Sequence, residues 1–143
     1  MKDQAISLGL QDRITWNGAL AQEAVLDLYR SSDAFVLPCR IAPDGDRDGL
    51  PNVLVEASSQ GLVCLSTGIS GVPELLDDDV NGLVIPPEDP KALAQALERL
   101  IRNPKQRHDL GAAAEQRVRG EFDFQTSVDQ LTSLFLRSAE RSK

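Results

Sequence analysis

The stretch AFVLPCRIAPDGDRDGLPNVLVEASSQGLVCLS, residues 34–66, carries the pattern from which the rest of the fold is read. Ala34-Phe35-Val36-Leu37 is apolar without alternation, as a strand covered on both faces requires. A polar loop rich in Gly and Asp follows. Pro51 is at home in the first turn of a helix, which sets the helix start at about Leu50 to Asn52 and its body over Val53 to Gln60. Gly61 fits the left-handed position just past that helix, and Leu62 to Ser66 reads as the next buried strand. Two strands joined through a helix are parallel, and the crossover is right-handed.

Working outward, the alternation continues on both sides. Ile14-Thr15-Trp16 is a short β-rich run closed by Asn17-Gly18, and Ala24, Val25, Leu28 and Tyr29 mark one face of a helix. Downstream come Gly68 and Gly71, a short helix started by Pro73, the acidic turn from Asp77 to Gly82, and a further strand, Leu83-Val84-Ile85. Asp89 can cap a helix with Pro90 in its first turn and Leu93, Ala94, Leu97, Leu100 and Ile101 on its buried face. Pro104 breaks that helix, and two more are expected, Lys105 to Gln116 and Thr126 to Ser138, the last with Val128, Leu131, Leu134 and Phe135 as its apolar stripe. The fold class is therefore α/β, a Rossmann-like parallel sheet with helices on both faces. Ligands of such sheets sit beyond the carboxyl ends of the strands, which selects the loops after Trp16, Leu37, Ser66 and Ile85.

At 143 residues the chain, 1–143, amounts to a single domain or part of one. With 41% hydrophobic and 26% charged residues it has the composition of a globular protein, and a formal charge of −7 argues against a nucleic-acid partner, which needs a basic face. Cys39 and Cys64 have no repeated spacing and are read as reduced thiols. The opening residues lack the apolar core of a signal peptide, and no window approaches the ~20 apolar residues of a membrane span. The expected location is cytoplasmic.

In an acidic chain an anionic ligand must be held by local geometry. The free amides of Leu50, Asn52 and Val53 at the start of the helix supply it, with the helix dipole contributing ~0.3–2 kcal/mol. Glu56 lies about one turn inside, among Val53, Leu54, Val55 and Ala57, where a carboxylate needs donors. Vicinal hydroxyls of a sugar are one such set; a neighbouring backbone group or an arginine is another. Asp48 precedes the helix, where it faces whatever extends past bound phosphates or is simply a loop acid. Asp44, Gly45 and Asp46 are read as turn chemistry.

The run DGLPNVLVEASSQG followed by VCLSTGISGVPELLDDDVNGLVIPPEDPKALAQAL, with RITWNG and LYRSSDAFVLP before it, resembles the carboxyl-terminal nucleotide-sugar-binding domain of retaining GT-B glycosyltransferases of family 4, the group 1 glycosyl transferases. The likeness covers essentially the whole chain. It rests on two acidic residues separated by seven, here Asp48 and Glu56, then a strand, a Gly-rich turn with Pro-Glu, and an Asn-Gly strand ending in Pro. Asp48 stands where the family usually has Glu. The resemblance implies Glu56 on the ribose hydroxyls and Asp48 near the donor sugar and phosphates as catalytic residues. It places Gly49, Leu50, Pro51, Asn52 and Val53 around the diphosphate, and Asn17, Gly18 and Ala19 beside the base.

The donor substrate implied is a nucleoside diphosphate sugar, with no cofactor and no metal, and the acceptor a saccharide or lipid-linked sugar in polysaccharide biosynthesis. The resemblance further implies that two strand-helix units and an acceptor-binding domain precede residue 1, the latter giving a peripheral association with the inner membrane. On that reading the strand at Ile14 is separated by a gap from the strand at Phe35, its edges are open to self-association, and the isolated chain binds donor weakly and turns over nothing. Rival readings are a catalytically silent nucleotide-binding or interaction module and a GT-B-fold nucleotide-sugar epimerase; the spacing of Asp48 and Glu56 fits the transferases better. A dehydrogenase lacks its Gly-x-Gly-x-x-Gly. Arg47 either assists the phosphates or pairs with Asp48, with Arg40 the other nearby cation; His108 is a surface residue, Glu74 favours its helix dipole, and Asp77 to Asp79 form a solvated turn.

Overall fold

The computed structural model describes residues 1–141. Three parallel strands, β1 (Phe35–Leu37), β2 (Cys64–Thr67) and β3 (Leu83–Ile85), form one sheet in the order β1-β2-β3. Phe35 pairs with Cys64 in register, and Leu65 with Leu83. Around the sheet run helices α1 (Lys2–Ser7), α2 (Gln22–Ser31), α3 (Asn52–Ser59), α4 (Val72–Leu75), α5 (Pro90–Arg102), α6 (Pro104–Glu121) and α7 (Phe124–Arg141).

Successive side chains of a strand point to opposite faces, and the central strand β2 is buried along its whole length. Cys64 enters a core with Tyr29, Leu54, Ala57, Val72, Leu75 and Val118, so α2, α3, α4 and α6 cover one face. Leu65, preceded by Val63, enters the other core with Leu83, Ala96, Leu100 and Leu110, where α5 lies. The chain is thus an α/β layer structure with helices on both faces of a parallel sheet, as expected. A glycine inside α6 permits the close approach of that helix to the turn before β2: a Cβ at Gly111 would stand 2.1 Å from the Gly61 carbonyl oxygen. The helix runs on to Glu121, beyond the end expected at Gln116, with Val118 buried in its last turns. Gly61 itself has φ 72, the left-handed conformation anticipated for it.

Several expectations need correction. Ile14-Thr15-Trp16 is not a strand. Ile14 is extended (φ −123, ψ 123), but the run has no ladder partner among the described residues, and Ile14 and Trp16 are 37% and 43% exposed. A β-rich sequence favours extended backbone; only a neighbouring strand makes it a strand. There is consequently no gap between two strands of one sheet: β1 is an edge with one neighbour, β2.

Helix α1, six residues long, was not anticipated. On α5 the buried face runs through Leu93, Ala96, Leu97 and Leu100, while Ala94 and Ile101 turn outward, Ile101 to 73% exposure. The expected apolar stripe of α7, Val128, Leu131, Leu134 and Phe135, is exposed too. Asp89 does cap α5, accepting from the amides of Lys91 and Ala92 at 3.0 and 2.9 Å.

Candidate functional site

The carboxyl end of β2 fixes how the chain leaves β1. Ser66 Oγ donates to the Leu37 carbonyl and Thr67 Oγ1 to the Cys39 carbonyl, both at 2.7 Å. Ala42 to Asp46 then folds into a compact turn, with the Ala42 amide on the Asp46 carbonyl at 2.8 Å and Asp44 Oδ1 accepting from the Asp46 amide at 3.1 Å. This is the turn chemistry expected of Asp44, Gly45 and Asp46. Asp48 follows, exposed and beside Cys39. Burial raises the Cys39 thiol above its ordinary value, with the Ser66 hydroxyl opposing and the Asp48 carboxylate adding to the shift. Asp48 has no hydrogen-bond or ion-pair partner among the described residues, and Arg47 does not pair with it.

Pro51 is the N-cap of α3, at φ −64 and ψ 122, so it stands just before the first helical residue rather than inside the first turn. A proline offers no side-chain cap, and none is made. The first backbone bond of the helix runs from the Leu54 amide to the Pro51 carbonyl at 3.0 Å. That leaves the amides of Asn52 and Val53 open for an anion. The approach to this helix end is held by Gly71, whose amide donates to the Gly49 carbonyl at 3.1 Å and whose missing Cβ would come within 2.8 Å of the Leu50 nitrogen.

One turn into α3, Glu56 lines an open cleft of about 470 Å³ with Leu50, Asn52, Val55, Ser59 and Phe122. Among the described residues the carboxylate bonds neither an arginine nor a backbone amide. Its partner is Tyr29, whose hydroxyl donates to Glu56 Oε2 at 3.5 Å from across the sheet's helical layer. The Tyr29 ring is buried edge-on against Phe35, centroids 5.6 Å apart at 89°. Burial first, and then the Glu56 charge and hydrogen bond, raise the Tyr29 phenol above its ordinary value. Oε1 of Glu56 makes no bond among the described residues.

The structure therefore brings Leu50, Asn52 and Glu56 to one cleft, with Gly49, Pro51 and Val53 in the same turn of backbone and Asp48 at its outer end. Asn17, Gly18 and Ala19 lie on an exposed loop before α2, and none of them lines this cleft. Arg40 lines a separate, mostly apolar cleft of about 290 Å³ at the strand ends, together with Pro38, Thr67, Ile85, Pro86 and Leu93. His108 is exposed, and Glu74 lies in the first turn of α4, as read from sequence. The aspartates of the acidic turn are more than a solvated loop: Asp77 pairs with Arg117, Asp79 with Arg99, and Asp78 Oδ1 accepts from the Val84 amide at 2.9 Å. Ser59 and Phe122 were not singled out by sequence, and Tyr29 was read only as part of the apolar face of its helix, not as a site residue. Tyr29 had a signal: a buried phenol needs a hydrogen-bond partner, and this is the chain's single tyrosine.

Residues 1–117 match the family described as Glycosyl transferases group 1. The amylovoran biosynthesis glycosyltransferase AmsK of Erwinia amylovora is 35% identical over 130 residues, which span 91% of this chain and 32% of that protein. Among solved structures, sucrose-phosphate synthase (tll1590) from Thermosynechococcus elongatus superposes with a TM-score of 0.84 at 25% identity, over 99% of this chain and 34% of that one. Anabaena Alr3699/HepE in complex with UDP-glucose gives 0.81 at 24% identity, over 95% and 35%. The chain thus spans about a third of the length of the curated relatives it matches.

Proposed function

Because the chain belongs to the glycosyl transferases group 1 family, we propose that it is the donor-binding part of a GT-B glycosyltransferase that moves a sugar, with retention, from a nucleoside diphosphate to a saccharide or lipid-linked acceptor. The observation that carries this reading is the cleft in which a carboxylate without a cationic partner, Glu56, stands one turn inside a helix whose first amides are open. An acidic group that accepts hydroxyls and a helix end that accepts an anion are what a ribose joined to a diphosphate requires. The names of relatives support it: AmsK serves amylovoran biosynthesis, and HepE was crystallised with UDP-glucose.

On this reading Glu56 accepts from the ribose hydroxyls. The amides of Asn52 and Val53, with the Gly49-Leu50-Pro51 backbone, hold the diphosphate, and Asp48 faces the donor sugar. Asn17, Gly18 and Ala19 border the base. The chain's contribution to rate is positioning, together with stabilisation of the departing diphosphate by preorganised dipoles, rather than supply of a nucleophile. The acceptor half of the cleft comes from sequence beyond this chain, which works at the cytoplasmic face of the membrane.

The test is calorimetric titration of UDP, GDP and ADP and their glucose and mannose derivatives into the chain and into Glu56→Gln. The expected loss in the variant is ~1.5–3 kcal/mol for the preferred nucleotide, the worth of a charged hydrogen bond. Equal affinity in the two proteins removes Glu56 from the site.

A further inference from the structure

Tyr29 lies 27 residues before Glu56, on a different helix, yet its hydroxyl reaches Glu56 Oε2. The phenol ring is fixed by its packing. Its ring is 7% exposed and held edge-on by Phe35, and the hydroxyl has no other partner among the described residues. Glu56 by contrast sits half-buried on the wall of an open cleft, with a flexible side chain and no arginine to hold it. An unrestrained glutamate loses rotamer freedom each time it binds, a cost of ~1 kcal/mol or more that a fixed neighbour can remove in advance.

We propose that Tyr29 is a positioning residue: its hydroxyl holds Oε2 of Glu56 and leaves Oε1 free to accept from the ribose hydroxyls of a nucleoside diphosphate. The proposal rests on the reading of Glu56 given above and adds to it the residue that orders the carboxylate. Three features support it. The bond joins α2 to α3 across the core, so it transmits the rigidity of a packed ring to a side chain at the cleft. The 3.5 Å separation places the hydroxyl next to Oε2, and a small rotation of the glutamate side chain brings the pair to ordinary hydrogen-bond length. The raised phenol, which keeps its proton, leaves Tyr29 a donor throughout the neutral range.

The test uses the full chain and the fact that it holds one tyrosine and no other phenol. With Tyr labelled by carbon-13 at the ζ position, the single resonance reports the hydroxyl's partner, and it is expected to move in Glu56→Gln at neutral pH. Identical resonances in the two proteins overturn the proposal without any ligand. Calorimetry with UDP and GDP then reads the role. Tyr29→Phe, which keeps the ring and its packing, is expected to weaken the preferred nucleotide about five-fold, and by less than about two-fold once Glu56→Gln is already present.

A merely structural tyrosine would give the same loss in both backgrounds, and that result overturns the positioning role. If Glu56→Gln weakens binding while Tyr29→Phe binds as wild type does, the reading of Glu56 stands and this proposal falls. If Glu56→Gln binds as tightly as wild type, or wild type binds none of UDP, GDP and ADP, both fall.

Discussion

Replacing Gly71 by alanine should disturb the proposed donor cleft from a position that carries no charge and presses on the backbone leading into α3. A Cβ at this position would lie 2.8 Å from the Leu50 nitrogen, 3.0 Å from its Cβ and 3.1 Å from the Gly49 carbonyl carbon, whereas ordinary contact begins near 3.4 Å. All of these neighbours belong to the short arm that leads into α3, and two of them are backbone, so no side-chain rotation relieves the clash. The arm must shift by about half an ångström, breaking or lengthening the 3.1 Å bond from the Gly71 amide to the Gly49 carbonyl. Overpacking of this kind costs about 1–3 kcal/mol, and in a chain of this size each kcal/mol lowers the melting temperature by about 2–4 °C.

The matched control is Gly49→Ala on the facing strand of backbone. Gly49 has nothing within 4 Å of its Cβ position and no positive φ, so the change should stay within about 0.5 kcal/mol. Thermal and urea unfolding of both variants read stability. Calorimetry with UDP and GDP reads the cleft, where Gly71→Ala should bind more weakly than wild type, while Gly49→Ala serves as the control for stability alone. If Gly71→Ala is as stable as Gly49→Ala and binds nucleotide as wild type does, the contact between Gly71 and Leu50 does not set the position of the helix end.

Asn81 should prove equally sensitive for a different reason: at 2% exposure its Oδ1 accepts from the Asp77 amide at 2.7 Å and its Nδ2 donates to the Leu75 carbonyl at 2.8 Å. Asn81→Ala leaves both without a partner and should lower the urea-unfolding free energy by about 2 kcal/mol, against no change if water replaces the amide. Alkaline pH should expose the thiol of Cys64, which burial pushes from 9.0 up to about 11. The folded chain holds that proton more tightly than the unfolded one, so the thiol's contribution is full below about pH 9 and is lost as pH rises through about 11, by about 3 kcal/mol. Unfolding of wild type and Cys64→Ala at about pH 8 and about pH 11 should show their difference shrink by about 2 kcal/mol, most of the full amount; a constant difference would contradict the burial of this thiol.

The central βαβ unit was legible because its cues are local. The unbroken apolar run at Phe35–Leu37, the proline before Asn52 and the left-handed glycine at 61 each mark an element without help from the rest of the chain. Asp89 announced α5 in the same way. What sequence could not supply was pairing. Ile14, Thr15 and Trp16 have the composition of a strand, but pairing depends on a neighbour that their own residues do not specify. The acidic turn looked solvated because its partners, Arg99 and Arg117, are distant in sequence. At the site, Asp48 and Glu56 stood out by spacing and by the oddity of a carboxylate among Val, Leu and Ala. The hydroxyl that meets Glu56 belongs to a helix that precedes β1 in the chain, 27 residues away, and its arrival depends on how α2 and α3 pack. Gly71 was visible as a glycine, while the reason for it, the backbone of Leu50 pressed against it, is a tertiary fact.

The most direct test of the account is a double-mutant cycle across the ligand itself. UDP and its 2′,3′-dideoxy analogue, or the guanosine pair if that base is preferred, are titrated into wild type and into Glu56→Gln. If Glu56 receives the ribose hydroxyls, removing them and removing its charge abolish the same bond, so either change alone should cost ~1.5–3 kcal/mol and the second should add little. If the two losses simply add, or if the dideoxy analogue binds wild type as tightly as UDP does, Glu56 does not hold the ribose.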